Sequence, residues 1–332
     1  MMKLVVLTRQ FGMYTGATVS TIELLKRIKD KFARVVVVTM RTDGTQVAGV
    51  EFKMVAKSRD LKTTAQQLVA GDPEWVGYSD DHFGWMLADA NVPYIHTYHG
   101  NWPDVKYQSG QMFLKSFFFI PMYKKTIRKA AVTVNVSHYM EKRFSGQYAQ
   151  RSTVIYNGIK QAGDQAKQQP KHDRLMMVGN VDKRKYGYAV AVFKQVDPTR
   201  MPPVDIYGKI VDEKIATELR QYPFVHLQGQ VDRIKFNQYT KFLCTSASEN
   251  LPVSIVEALL QRVPVISFDV GGIKEVVTPT RGRVVARGDL TAFEQALFAN
   301  DTYSFAGNDL ADTFNWDNSA RKYYELFKGL RR

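Results

Sequence analysis

Two glutamates with a proline between them form the most informative pattern in the chain. Glu249 and Glu257 stand eight positions apart, and Pro252 lies where a helix would start. Because proline is favoured in the first turn of a helix, Glu249 is predicted to lie in the preceding loop and Glu257 more than a turn inside the helix. The backbone N–H groups of Val253 and Ser254 would then suit an anion. At about 1.5 Å of rise per residue, the two carboxylates would lie on the order of 10 Å apart. This span fits an extended nucleotide-sugar, with the carboxylates on hydroxyls of the sugar and the ribose and the helix start on the diphosphate.

The surroundings of this pattern add to its specificity. Apolar, strand-like runs lie at 242–244 and 264–268, and the double glycine Gly271-Gly272 follows the second run. Residues 246–277 resemble the donor-site signature of retaining family 4 glycosyltransferases of the GT-B fold. The family's usual Glu-Gly before the helix appears here as Glu249-Asn250. Two glutamates at this spacing could arise by chance on a solvated helix, but chance does not explain the proline, the flanking strands and the double glycine together.

Alternating strand and helix patterns run through both halves of the chain. A helical segment at 18–28, for example, lies between two apolar strand candidates, and this alternation favours parallel sheets with helices on both faces. Strands are predicted at 3–8, 33–39, 75–78, 94–98, 132–136 and 153–156, and then at 174–178, 204–207, 225–228, 241–244 and 263–268.

The resemblance covers nearly the whole chain and implies two Rossmann-like, doubly wound α/β domains of the GT-B type. Residues 1–160 would form the acceptor-binding domain and 174–312 the nucleotide-sugar-binding domain. The polar stretch 161–173 would link them. A C-terminal helix within 313–332 would pack back on the N-terminal domain, as it does in the resembled family.

A basic turn follows the strand at 174–178. Gly179 begins it, and Lys183, Arg184 and Lys185 come next. Clustered cations at the carboxyl end of a strand lie where a doubly wound sheet binds phosphates. The family carries an arginine just after this glycine and a lysine further on, both facing the diphosphate. Lys185 matches the lysine, but Asn180 occupies the arginine position, so Arg184 or Lys183 is expected to compensate. A solvated basic turn is the alternative.

The resemblance also implies roles for individual residues. Glu249 would orient the sugar hydroxyls, Glu257 would hold the ribose, and Lys185 with Arg184 would steady the leaving diphosphate. The backbone near Leu227 and Gly229 would border the base. The residues expected to be catalytic are Glu249, His99, Lys185 and Arg184. Those expected to bind the donor are Thr15, Gly16, Gly179, Asn180, Lys185, Leu227, Gly229, Asn250, Leu251, Val253, Ser254 and Glu257.

Further candidates follow strands of the first half. Thr15 and Gly16 open a helix after the first strand, where the family has a glycine pair. His99 follows the strand at 94–98, at the ligand edge of a parallel sheet, and the matching histidine of the family lies close to the transferred sugar. The acceptor side is expected to comprise Asp80, His82, His99 and Asn101. A metal site at 80–82 is the less favoured interpretation, since three adjacent polar residues after a strand usually form a cleft loop; no metal and no cofactor are expected.

The charge of the chain calls for an anionic partner. With 46 Lys and Arg against 32 Asp and Glu, the net charge is +14. An anionic acceptor or an anionic membrane surface would suit it, and nucleic acid ranks last because no nucleic-acid module is recognised. The single cysteine, Cys244, excludes an internal disulfide and fits a reducing cytoplasm. A cytoplasmic protein is therefore expected, either free or peripheral on the inner face of the cell membrane. Association with a second copy of itself or with a partner glycosyltransferase is left open.

The segment 112–125 combines bulky aromatic residues with a basic C-terminal flank. Apolar bulk and lysines are what an interfacial membrane segment needs. A domain-surface helix whose aromatics belong to the core is an equally good interpretation.

The function implied by the resemblance is retaining transfer of a hexose from a nucleoside diphosphate sugar, expected to be a UDP-sugar. The acceptor would be a hydroxyl of a cell-envelope lipid, polysaccharide or teichoic-acid-like polymer, or of a protein. Two alternatives stay open. One is a sugar-nucleotide epimerase or phosphorylase on the same fold, and the other is a non-catalytic partner subunit that binds glycan or protein.

Overall fold

A computed structural model describes residues 1–13, 15–107, 110–159, 173–305 and 309–331 of the 332-residue chain. The chain divides into two compact units. The first comprises Met1–Pro103, Leu114–Lys160 and Thr313–Arg332, and the second comprises Asp104–Phe113 and Gln161–Asp312. The linker predicted at 161–173 lies outside the described residues except for Asp173.

The first unit is built on a seven-stranded sheet in which every pair of neighbouring strands is parallel. The strand order is β3-β2-β1-β4-β5-β6-β7. The strands are β1 (Lys3–Phe11), β2 (Arg34–Thr42), β3 (Glu51–Met54), β4 (Trp75–Ser79), β5 (Tyr94–Tyr98), β6 (Val132–Asn135) and β7 (Ser152–Val154).

The second unit has a six-stranded parallel sheet with the order β10-β9-β8-β11-β12-β13. Its strands are β8 (Leu175–Val178), β9 (Val204–Tyr207), β10 (Val225–Gly229), β11 (Lys241–Cys244), β12 (Val265–Phe268) and β13 (Gly282–Val285). In both sheets the first strand pairs with the second on one side and the fourth on the other, which is the strand order of a Rossmann domain. In folds of this kind, ligands bind where that order reverses. The reversal lies beside the carboxyl ends of β1 and β4 in one unit and of β8 and β11 in the other.

α-Helices lie between most successive strands, as is usual for the crossovers that parallel pairing needs. Among the described residues, no α-helix lies between β2 and β3, between β10 and β11, or between β12 and β13. The α-helices are α1 (Gly16–Ile28), α2 (Ser58–Val69), α3 (Trp85–Ala88), α4 (Gly110–Lys129), α5 (His138–Arg143), α6 (Lys183–Gln195), α7 (Glu213–Arg220), α8 (Val253–Leu260), α9 (Leu290–Phe298), α10 (Leu310–Thr313) and α11 (Trp316–Gly329). In the described part of the chain, none of them has both the length and the apolar character to span a bilayer.

The last helix belongs to the first unit, as predicted. Tyr323 and Phe327 on α11 are buried against the sheet of that unit. The Tyr323 hydroxyl lies 2.9 Å from the Thr97 hydroxyl on β5, and the Phe327 ring packs edge-on against Phe32. The C-terminal 20 residues therefore help to complete the core of a domain whose strands all come from the first half of the chain.

The sequence failed to predict two of the strands, β3 and β13. Both are edge strands. β3 has three exposed residues out of four, and β13 begins with Gly282, which packs against the backbone of Val265 at a positive φ. Strands of this kind carry little of the apolar pattern on which the predictions rest.

Candidate functional site

The turn after β8 lets a lysine side chain fold back over the strand end. Gly179 has φ +145°, and a Cβ placed on it would lie 2.7 Å from Lys185 Cε. A glycine at this position therefore leaves room for the Lys185 side chain. Gly208, at the end of the neighbouring β9, packs even closer, because a Cβ there would overlap the Gly179 carbonyl oxygen.

The first turn of helix α6 carries three cations, Lys183, Arg184 and Lys185. Asp182 caps the helix by accepting a hydrogen bond from the Lys185 N–H at 2.9 Å. Arg184 and Lys185 thus lie at the N-terminal, partially positive end of a helix, where cations are electrostatically disfavoured. An anion close to this helix start would offset that cost.

The loop after β11 supplies the anion and is tied to α6 by backbone groups. Thr245 donates its hydroxyl to the Lys185 carbonyl at 2.9 Å, and the Ala247 N–H donates to the Arg184 carbonyl at 2.8 Å. These bonds hold the loop beside the helix start. They bring Glu249 to the two cations, although 64 residues separate Glu249 from Lys185 along the chain.

Glu249 forms a charge cluster with both cations. Arg184 Nη1 lies 3.0 Å from Glu249 Oε1 and also donates to the Ser248 carbonyl at 2.8 Å. Lys185 Nζ lies 3.0 Å from the same Oε1. The side chains are only 27%, 17% and 11% exposed for Arg184, Lys185 and Glu249, so water screens their interaction poorly.

The cluster keeps Glu249 ionised. Burial by itself would raise the pKa of the Glu249 carboxyl, but the charges of Lys185 and Arg184 and a hydrogen bond from Ser246 outweigh it and lower the pKa to about 2.

The pKa of Glu257 is shifted in the opposite direction. Glu257 lies in α8, and burial raises its pKa. Its carboxylate makes no ion pair and no side-chain hydrogen bond among the described residues, which leaves it available to a hydroxyl-bearing ligand.

The start of α8 offers free donors beside this cluster. Pro252 is the N-cap residue and provides no side-chain hydrogen bond. Within the described part of the chain, the N–H groups of Val253 and Ser254 have no acceptor. Unpaired N–H groups at a helix start would suit an anion.

The double glycine supports the loop that carries Glu249. Gly271 has φ +60°, and a Cβ on it would lie 2.5 Å from the Asn250 carbonyl oxygen. The Gly272 N–H donates to that same oxygen at 2.6 Å. Leu251 follows in this loop and is half-buried. The glycines thus allow the 270–272 turn to contact the backbone of the Glu249 loop directly.

The structure separates the two cations expected to replace the arginine missing at Asn180. Asn180 and Lys183 are exposed, whereas Arg184 contacts Glu249. Leu227 and Gly229 lie on β10, the edge strand, with β9 between them and β8.

Sequence reasoning did not single out four residues that support the cluster. They are the helix cap Asp182, Thr245, Ser246 and Ser248. An aspartate directly before a helical pattern is a readable N-cap signal, so Asp182 could have been found. The three hydroxyl residues carried no such signal, because only the fold brings their loop to α6.

The candidates after β1 occupy a helix start in the first unit. Thr15 is the N-cap of α1 and accepts a hydrogen bond from the Thr18 N–H at 3.3 Å. Gly16 is the first helical residue, and a Cβ there would meet nothing within 4 Å. Close backbone packing therefore does not require glycine at position 16.

The acidic residues after β4 are held inside the first unit. Asp80 is 6% exposed and accepts hydrogen bonds from the hydroxyls of Thr8 at 2.7 Å and Thr21 at 2.6 Å. Burial and the neighbouring charge of Asp81 raise the pKa of Asp80 to about 7, and burial raises that of Asp81 to about 6. Asp81 accepts hydrogen bonds from the N–H groups of Arg9 and Phe83. These contacts join the ends of β1 and β4 to α1.

Burial leaves the two acceptor-side histidines, His82 and His99, uncharged at neutral pH. His82 is 6% exposed, packs against the rings of Phe83 and Phe119, and has its pKa lowered to about 4 by burial. Burial likewise lowers the pKa of His99, directly after β5, to about 4. Asn101 follows and is half-buried. A neutral imidazole can accept and donate a hydrogen bond to a sugar hydroxyl. Among the described residues, no group of three His, Cys, Asp or Glu side chains could hold a metal ion.

Helix α4 carries a solvent-exposed apolar face. Leu114, Phe117 and Phe118 are 70%, 67% and 64% exposed. The basic end of the helix is partly engaged within the protein, since Lys125 Nζ lies 3.3 Å from the centre of the Trp85 ring and Lys129 pairs with Asp89 at 2.5 Å. Exposure of these three side chains counts against the interpretation in which the aromatics of this segment all belong to the core.

The protein has two parallel sheets of Rossmann order with interleaved helices, and a helix from the C-terminus packs on the first sheet. This architecture defines a two-domain GT-B protein, as predicted from the sequence. Residues 14–162 match the family model described as Glycosyltransferase Family 4, and residues 172–299 match the one described as Glycosyl transferases group 1. The chain belongs to the family 4, group 1 glycosyltransferases.

Individual relatives are more distant. A putative teichuronic acid biosynthesis glycosyltransferase of Bacillus subtilis, TuaC, is 25% identical over 201 residues, which cover 56% of this chain and 49% of that protein. The chain thus matches about half the length of this curated relative. Among solved structures, the sucrose-phosphate synthase of Thermosynechococcus elongatus superposes with a TM-score of 0.80 at 16% identity, covering 99% of each chain. The Anabaena protein HepE in complex with UDP-glucose superposes with a TM-score of 0.73 at 16% identity, covering 98% of this chain and 99% of that one.

Proposed function

We propose that the protein is a retaining glycosyltransferase that moves a hexose from a nucleoside diphosphate sugar to an acceptor hydroxyl. The observation that carries this proposal is the cluster of Arg184, Lys185 and Glu249 beside the start of α8. It combines two cations, free N–H donors and an ionised carboxylate at the switch point of a Rossmann sheet. Family membership and the UDP-glucose held by the structurally similar HepE support a UDP-sugar as the donor.

Each part of the site then has a role on the donor. Lys185, Arg184 and the N–H groups of Val253 and Ser254 bind the diphosphate. Glu249 accepts hydrogen bonds from sugar hydroxyls, for which its ionised state is suited. Glu257 holds the ribose hydroxyls.

These groups also fit the chemistry of transfer. When the bond between the sugar and the diphosphate breaks, negative charge grows on the terminal phosphate. Fixed cations and helix N–H groups stabilise that charge, and they do so most effectively where little water reaches them. In the proposed retaining reaction, the departing phosphate oxygen takes the proton of the acceptor hydroxyl, which attacks on the same face of the sugar. The chain then needs no covalent nucleophile, and Glu249 acts on sugar hydroxyls.

The first unit is proposed to bind the acceptor. His99 and Asn101 follow β5 at the ligand edge of its sheet, whereas Asp80 and His82 are buried and would position the residues around them. The TuaC relative is named for teichuronic acid biosynthesis, which supports an anionic cell-envelope acceptor. The net charge of +14 favours such an acceptor or an anionic membrane, and the exposed apolar face of α4 favours contact with a membrane. A cytoplasmic location on the inner face of the membrane follows from these partners.

The experiment that tests the activity measures nucleoside diphosphate release from UDP-sugars, with and without lipid, teichoic-acid-like and protein acceptors. Release that depends on an acceptor, together with a product of unchanged anomeric configuration by NMR, is the expected result. Sugar interconversion without an acceptor would identify an epimerase. Donor binding without turnover on any acceptor would favour the non-catalytic subunit. Turnover should also persist in excess chelator, and loss that magnesium restores would refute the metal-free reaction.

A further inference from the structure

One carboxylate oxygen lies between the two cations of the donor site. Arg184 Nη1 and Lys185 Nζ each lie 3.0 Å from Glu249 Oε1. A phosphate oxygen accepts charge-assisted hydrogen bonds from the same donors at similar distances. Glu249 Oε1 therefore takes the kind of position, between two cations, that an oxygen of a bound diphosphate would take.

The surroundings of the cluster allow the cations to change partner. Arg184 Nη1 also donates to the Ser248 carbonyl at 2.8 Å, so that the guanidinium keeps one anchor when the carboxylate turns away. The Lys185 side chain passes over Gly179, where the absence of a Cβ leaves room for it. Its flexible four-carbon stem allows the ammonium to move to another partner. Ser246 contributes to the stabilisation of the Glu249 carboxylate independently of both cations.

We propose that Glu249 is an internal competitor of the donor's diphosphate for Arg184 and Lys185. Sugar hydroxyls engage Glu249 when the complete donor binds, and the two cations pass to the diphosphate. After transfer the sugar is gone, so Glu249 returns to the cations and weakens the hold on the nucleoside diphosphate product. The site thereby favours the donor over its own product. This inference rests on the proposed function of the cluster as a donor site.

Protonation does not remove the competitor at physiological pH, because the two cations keep the pKa of Glu249 far below neutrality. A neutral side chain of the same shape does remove it. Glu249→Gln leaves the two cations without their carboxylate and takes one negative charge from a position a few ångströms from the bound diphosphate. The diphosphate is then no longer repelled by the carboxylate and no longer competes with it for the two cations. At intermediate screening, this change in Coulomb energy corresponds to about tenfold tighter binding of a diphosphate that carries no sugar.

The test is calorimetric binding of inorganic pyrophosphate, UDP and UDP-glucose to the full chain. Glu249→Gln should bind pyrophosphate and UDP about tenfold more tightly than the parent. The advantage of UDP-glucose over UDP should shrink by at least the same factor. Glu257→Gln is the matched control, because it removes the same charge from a carboxylate that contacts neither cation. It should leave pyrophosphate affinity within about twofold of the parent value.

The outcomes separate this inference from the proposed function. Unchanged or weaker pyrophosphate binding by Glu249→Gln overturns the competition, and so does equal tightening by both variants, since that would be a general effect of charge. A parent chain that binds neither pyrophosphate nor any UDP compound overturns the donor site itself. If thermal unfolding shows no folding transition for Glu249→Gln, Glu249→Asp takes its place. Its shorter side chain cannot hold both cations as closely, so pyrophosphate should again bind more tightly, and no tightening refutes the competition.

Discussion

Gly179→Ala should damage function far more than stability. The new Cβ would lie 2.7 Å from Lys185 Cε, inside van der Waals contact. The obstacle is the far end of a flexible side chain, which can move aside at little cost. The stability loss should therefore come mainly from the backbone at φ +145°, on the order of 1–3 kcal/mol. The displaced ammonium, however, loses its place 3.0 Å from Glu249. Loss of one electrostatic donor to a transition state lowers kcat by about 100-fold or more.

Two other glycines provide controls for this prediction. Gly16→Ala adds a Cβ that meets nothing within 4 Å, at the first residue of a helix, so stability should be unchanged or higher by up to about 1 kcal/mol. Gly208→Ala places its Cβ against the Gly179 carbonyl, and backbone cannot move aside as a lysine side chain can. It should therefore destabilise the protein more than Gly179→Ala does.

The measurements are urea unfolding of the three variants and kcat for the sugar donor. The expected order of stability is Gly16→Ala, Gly179→Ala, Gly208→Ala, from most to least stable. The unfolding midpoint of Gly179→Ala should be close enough to that of the parent for the variant to be folded under assay conditions. A folded Gly179→Ala enzyme with the kcat of the parent would refute the argument that this glycine makes room for Lys185.

Four further predictions follow from the described contacts. Glu257→Ala should weaken donor binding by about 1.5–3 kcal/mol in calorimetry, and unchanged affinity would remove this residue from the site. Lys185→Ala should lower kcat more than it weakens donor binding, because charge on the diphosphate grows during transfer; equal effects on both would mean that it binds only the ground state. Burial raises the folded-state pKa of Asp80 above that of the unfolded chain, so its stabilising contribution is complete below about pH 4 and is lost as the pH rises through about 7. Asp80→Asn should flatten that decline in unfolding experiments, and an unaltered pH profile would show that the group is ionised in the folded state. Replacing Leu114 and Phe118 with serine should reduce co-sedimentation with anionic vesicles while leaving donor affinity intact, and undiminished sedimentation would exclude this face of α4 as the membrane contact.

Local sequence determined most of the fold. The strands at 94–98, 204–207 and 241–244 were predicted with the bounds that the structure gives to β5, β9 and β11. Each is a short apolar run between polar or turn-forming residues, and a buried parallel strand is the structure that suits such a run. Pro252 likewise marked the start of α8 to within one residue. These features depend on neighbours in sequence, and therefore the sequence alone was sufficient to find them.

The state of the candidate site depended on residues that are distant in sequence. Glu249 and Glu257 look equivalent as a spaced pair, yet the pKa of one is lowered to about 2 and that of the other is raised. The difference arises because α6, more than 60 residues earlier, brings Arg184 and Lys185 to Glu249 and brings no cation to Glu257. The sequence offered Arg184 and Lys183 equally as the substitute for an arginine at Asn180, and only the direction in which each leaves α6 distinguishes them. A spacing fixes where a carboxylate lies along the chain, but its charge depends on which groups the fold places within a few ångströms and on how much water it removes.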